Sequence, residues 1–253
     1  MTWRPDRRLL AGLVLVAWGG AIALLALRRH SRTDAQLLAR GALDVAPATY
    51  FYVVAQDTLP IGYASSSIDT TASGFTAREM IRVRALIAHD SQTVAASSVA
   101  YLSRGLALDS FAISISDQRP LHEMSRPQRS ADVTLPSLAS MALMLTRTPH
   151  VGANAEAQIY NPLSGQVERV TLGIAAESLF SVVDSAVFDS TRRQWTAAHL
   201  DTVRSWKIVA PSKGISAWVD AEGRIVAASG PGGASVTRTA YEIATLNQKL
   251  RIH

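Results

Sequence analysis

Between Phe75 and Ile87 the chain alternates with a period of two. Phe75, Ala77, Ile81, Val83, Ala85 and Ile87 fall on one face, and Thr76, Arg78, Arg82 and Arg84 on the other. A helix cannot keep those two sets apart, whereas a strand does so at every step. Asp109 to Ser116 repeats the pattern, with Phe111, Ile113 and Ile115 opposite Ser110, Ser114 and Ser116. One face meets a core and the other meets water, as in an antiparallel sheet covered on one side. Glu79 interrupts the apolar face; a bulge that turns it outward is the expected answer, and a buried functional carboxylate the alternative.

Further strands are predicted over 50–56, 61–69, 93–103, 156–160, 166–174, 203–209, 214–220, 224–229 and 237–245. Turn residues separate them at Gln56-Asp57-Thr58-Leu59-Pro60, Ser73-Gly74, Asn161-Pro162-Leu163-Ser164-Gly165 and Ala221-Glu222-Gly223. Such spacing predicts an antiparallel meander in which neighbours in sequence are neighbours in the sheet. Gly230-Pro231-Gly232-Gly233 opens no helix and reads as a loop, not a phosphate cradle. Asp184 to Asp201 is polar and mixed and reads as a long hairpin or excursion between strands.

Ser137 to Arg147 departs from this rhythm. Leu138, Met141, Ala142 and Leu145 stand at helical spacing between Pro136 and Pro149, which predicts a short amphipathic helix lying across the concave face of the sheet. Phe111, Ile113, Ile115, Leu138, Met141, Leu145, Trp206 and Trp218 are the residues expected to line a groove there; Met and Trp at such spacing otherwise simply fill a core.

Ahead of the sheet, Leu9 to Leu27 is a run of 19 uncharged residues. As a helix it would reach roughly 28 Å, close to the hydrocarbon thickness of a bilayer. Arg7 and Arg8 precede it and Arg28 and Arg29 follow it, placed to snorkel to the headgroups. The residues after it make a poor cleavage site, so an uncleaved anchor is expected. A short N-terminal stub suits a signal anchor that exports the rest through a bacterial inner membrane. The expected organisation is a stub and anchor over 1–30 with the helix at 9–27, a stalk over 31–48, a β-domain over 49–246 and a tail over 247–253.

The formal charge is +5, and the six arginines against the single Asp6 before residue 33 supply all of it. The remainder is electrically balanced, without the basic stripe that phosphate contacts require, so nucleic acid is not an expected partner. The chain has no cysteine, which removes disulfides, thiolate metal sites and a cysteine nucleophile. No nucleophile elbow, phosphate loop, zinc-protease helix or dinucleotide fingerprint occurs, and no two of the six histidines lie within five residues of each other. The sequence therefore reads as non-enzymatic, with no cofactor and no metal implied.

Trp218-Val219-Asp220-Ala221-Glu222-Gly223-Arg224-Ile225-Val226, with Tyr160-Asn161-Pro162-Leu163-Ser164 and Leu59-Pro60-Ile61-Gly62-Tyr63, resembles a family of uncharacterised bacterial envelope domains. In that family a W-V-D-x-x-G-x-I hairpin follows a (D/N)-P-L-(S/T) turn, and some members precede a transglutaminase-like domain. The resemblance runs from about Thr49 to Leu246. It implies an open half-barrel similar to that of lipoprotein-carrier proteins, and with it the handling of a hydrophobic ligand. Two departures stand out: no transglutaminase domain is expected before His253, and an anchor helix replaces a lipidated cysteine. The expectation is thus a mainly β, membrane-anchored envelope domain that binds a lipid, an acyl chain or an envelope partner. An accessory subunit of a membrane complex is the alternative, and a hydrolase with an unrecognised site is third.

Overall fold

The computed structural model describes residues 41–87, 90–106, 108–116, 120–121, 126–127, 133–134, 136–146, 149–161 and 166–247. The expected anchor with Arg7, Arg8, Arg28 and Arg29, most of the stalk, Pro162 to Gly165 and the last six residues lie outside them. Among the described residues no helix is long and apolar enough to cross a membrane.

Alternation becomes pairing along most of the chain. The strands are β1 (Ala48–Gln56), β2 (Leu59–Thr70), β3 (Gly74–Ile87), β4 (Asp90–Ser103) and β5 (Leu108–Ser116). Three two-residue pairings follow, β6 (Pro120–Leu121), β7 (Arg126–Pro127) and β8 (Val133–Thr134), then helix α1 (Pro136–Thr146). The second half holds β9 (Asn154–Asn161), β10 (Gln166–Asp189), β11 (Gln194–Ala210), β12 (Ile215–Val219), β13 (Ile225–Ser229) and β14 (Ala234–Thr239). All belong to one sheet ordered β6-β5-β4-β3-β2-β1-β14-β13-β12-β11-β10-β9-β8, with β7 also on β5. Among the described residues eleven strands are substantial, and only the short β8–β9 pairing is parallel. Sequence neighbours are sheet neighbours in two meanders, joined where β1 pairs with β14.

The sheet is open yet curls until its two ends meet. Phe111 on β5 and Tyr160 on β9 stand far apart in strand order, but their ring centroids are 4.8 Å apart. Two buried clusters fill the interior. One gathers Ile68, Phe75, Ala100, Leu102 and Phe111; the other gathers Val170, Leu172, Ile174, Trp206, Ile208 and Val219. Helix α1 joins them, sending Leu138 and Met141 to the first and Ala139, Leu143 and Met144 to the second. The expected single apolar stripe is therefore corrected: α1 lies between the two halves of the curled sheet and carries apolar residues to both. It sits close on the β12–β13 turn, where buried Ser140 donates its hydroxyl to the Gly223 carbonyl at 2.9 Å. Gly223 has φ +79°, and a Cβ there would fall 2.4 Å from the Met141 Cα. Only glycine meets both demands.

One further expectation is met and another is corrected. β10 and β11 run past their neighbours as one ribbon turning at 190–193, so Asp184 to Asp201 is the expected long hairpin, with its register shifted around Ser185. Its mixed composition reflects a two-stranded arm with water along much of both faces. The strand expected over 237–245 ends at Thr239, and Glu242–Leu246 forms a turn of π-helix. There the Thr245 hydroxyl bonds back to the Tyr241 carbonyl at 2.8 Å, a local contact open to helix and not to strand. This turn docks under the arm: Asn247 accepts from the Trp195 N–H at 2.7 Å and donates to the Trp195 carbonyl at 2.9 Å.

Candidate functional site

Register explains why the curled sheet holds a space. Crossing β1 to β5, one inward row reads Ala48, Ile68, Ala77, Ala100 and Phe111, an apolar floor. The next reads Tyr50, Ser66, Glu79, Ser98 and Ile113, and the third Tyr52, Ala64, Ile81, Ala96 and Ile115. Alanine and serine occupy position after position where a filled barrel would carry branched side chains. The result is a cavity of about 400 Å³ between these rows, α1 and the β12–β13 turn. That volume falls in the range of small-molecule sites, about 300–1,000 Å³. Ile81, in the third row, is 36% exposed, so the cavity communicates with the outside.

Glu79 faces into this space. The pairing of β3 with β2 and with β4 runs without a register shift across it, so no bulge turns it outward. Its carboxylate accepts from the Ser98 hydroxyl at 3.3 Å.

The wall made by β1, β14 and the β12–β13 turn is cationic and aromatic. Asp220 and Arg238 form a buried ion pair at 3.0 Å, their side chains 9% and 8% exposed. The other Asp220 oxygen accepts the Arg224 backbone N–H at 2.8 Å. Tyr50 sits near both guanidinium groups, 5.3 Å from Arg224 and 4.8 Å from Arg238, and its hydroxyl accepts from Arg224 Nη1. Arg224 Nη2 donates to the Ala46 carbonyl at 2.9 Å, while its Nε is buried with no hydrogen-bond partner among the described residues. Burial pushes the Tyr52 hydroxyl above the ordinary phenol range; nearby Arg238 pulls the other way, and Glu79 and Asp220 add to the rise. Tyr52 therefore stays protonated as a donor on the same wall.

Of the residues expected to line a groove, Ile113, Leu138 and Met141 reach the cavity. Phe111 is one step deeper, in the floor against Tyr160, and Leu145 packs on the same core. Ile115 holds its place in the third row, and its side chain lies outside the described residues. Trp206 and Trp218 do not wall one space. Trp206 pairs with Val219 and Lys207 with Trp218, so the two indoles point to opposite faces, Trp206 into the second core and Trp218 against Phe180 at 4.9 Å. Sequence reasoning missed Tyr50, Tyr52, Ser66 and Arg224, and Arg238 beside Tyr50; the run of small inward residues in β2 and β4 is the signal that could have revealed the space the first four border.

The described histidines, His150 and His199, are exposed, and neither lines the cavity. On the arm, His199 Nδ1 lies 3.8 Å from Asp184 and 3.5 Å from Asp201, all three in water, a surface charge cluster of small energetic weight.

No family model matches the chain, and no curated protein is similar to it in sequence. Among solved structures it is similar to a β-barrel-like protein of a domain of unknown function (DUF1849) from Brucella abortus. The identity is 10% and the TM-score 0.50, over 76% of this chain and 94% of the other. At that identity the likeness is one of fold alone: a mainly β, barrel-like domain.

Proposed function

We propose that this chain is a non-enzymatic β-domain of the bacterial envelope that holds an apolar ligand, a lipid or an acyl chain, in the cavity of its curled sheet. The 9–27 segment would tether it to the inner membrane with the β-domain outside the cytoplasm. One observation carries the reading: small inward residues on β2 and β4 leave room beside Ile68, Ile113, Leu138 and Met141. A well-packed interior has few voids larger than a water molecule, so a space of this size with an apolar lining suits an apolar occupant. Native mass spectrometry of the full chain, released gently from membranes, is expected to find retained lipid. Ser66→Phe and Ala96→Leu, which project bulk into the cavity, are expected to lose it while keeping the wild-type circular dichroism. A wild-type chain that arrives empty and takes up no fluorescent fatty acid would overturn the reading.

The accessory-subunit reading also has an observation in its favour. Leu179, Val187, Phe188 and Leu200 stand 68%, 53%, 46% and 54% exposed along the arm, and the β-domain would dock on an envelope complex through them. A photo-crosslinker at Phe188 is expected to capture one defined partner in intact cells on that reading, and only scattered products on the other.

A further inference from the structure

The geometry points to the class of ligand head the cavity selects: a single anionic group on one acyl chain, held by Arg224 with the chain running under α1. This rests on the cavity being a ligand site and adds the charge of what enters it.

Arg224 lines the cavity, and its guanidinium offers five N–H donors that stay charged at any physiological pH. Its named acceptors are neutral, the Tyr50 hydroxyl and the Ala46 carbonyl. Asp220 has both oxygens engaged, by Arg238 and by the Arg224 backbone. Among the described residues no carboxylate forms an ion pair with Arg224, and its Nε is buried and unbonded. A partly buried cation served only by neutral groups is best completed by an anion, and a guanidinium fits the paired oxygens of a carboxylate or an oxyanion. The Tyr52 hydroxyl and Ser66 stand on the same side of the lining as further donors. Beyond them Ile68, Ile225, Leu138 and Met141 offer only apolar surface.

Glu79 sets the number of charges. It lies on β3, two strands from Tyr50, which at the spacing of a β-sheet is roughly 10 Å. A second anionic group reaching that side would face a carboxylate.

The test is calorimetric, on the full chain in its folded state, with soluble single-chain probes: octanoate, octyl sulfate, 1-octanol and octylammonium. Octanoate or octyl sulfate is expected to bind at least ten times tighter than 1-octanol, and octylammonium weakest. The tighter of the two anions tells a planar carboxylate from a tetrahedral oxyanion. Arg224→Gln is expected to weaken the anions about tenfold and 1-octanol far less, with Arg224→Lys recovering part of the loss. The comparison of probes on the wild type stands even where a variant fails to fold. Equal affinity for octanoate and 1-octanol, or an anion affinity indifferent to Arg224→Gln, overturns this inference and leaves the cavity reading intact. Binding of none of the four overturns both.

Discussion

The ring of Phe111 on β5 lies 4.8 Å from the ring of Tyr160 on β9, and across that contact the two ends of the sheet touch. Both side chains are nearly inaccessible, at 2% and 1%. The closure is made by side chains and by α1, and among the described residues no backbone ladder joins β5 to β9.

The two rings should respond to substitution in opposite directions. Phe111→Ala removes a large buried side chain and should cost about 3–5 kcal/mol. The Tyr160 hydroxyl is buried with no hydrogen-bond partner among the described residues, and such a group costs about 1–3 kcal/mol. Tyr160→Phe should therefore raise the urea midpoint at unchanged slope. A clear loss of stability in Tyr160→Phe would show that the hydroxyl is bonded after all.

Gly223→Ala combines a left-handed backbone with contact against Met141, two effects of about 1–3 kcal/mol each. Thermal unfolding should drop by several degrees, and the cavity probe should bind more weakly because α1 is pushed away. An alanine tolerated at no cost would mean that α1 is not held against this turn.

Breaking the Asp220–Arg238 pair from one side leaves a buried charge alone, so Asp220→Ala should cost about 3–5 kcal/mol. Asp220→Ala with Arg238→Met should cost less than Asp220→Ala by itself. A double-mutant cycle read by urea unfolding measures the difference, and additive losses would argue that the two groups are not coupled.

Tyr52 ties stability to alkaline pH. Its phenol is held above the ordinary range in the fold, whereas in the unfolded chain it ionises near pH 10. Its contribution is complete below that pH and is lost as pH rises above it, because the unfolded state then sheds a proton that the folded state keeps. Between pH 9 and 11 the wild type should lose more stability than Tyr52→Phe. Equal slopes for the two would show that Tyr52 ionises as freely in the fold as in water.

The sheet was legible wherever one face met the core and the other met water, as at Phe75 to Ile87 and Asp109 to Ser116. Legibility failed where that contrast fades. The arm beyond Ala176 has no steady inside, so its alternation is blurred, and residues 241–246 carry a pattern that strand and helix share. The cationic wall was invisible for a different reason. Arg224 meets Tyr50, and Arg238 pairs with Tyr52, only because the last strand lies beside the first, a relation no local pattern encodes. Glu79 was noticed as an anomaly, but its direction depended on the unbroken register of three strands.

Pairing the first strand with the last also dictates an order of events during synthesis. The edge of Phe51 to Gln56 waits for Ala234 to Thr239; at typical elongation rates the wait is on the order of ten seconds or more. Until then the nascent amino-terminal meander displays a raw edge able to recruit a stranger's strand. The molecule is finished at its middle, and that seam stays open until the final hairpin arrives.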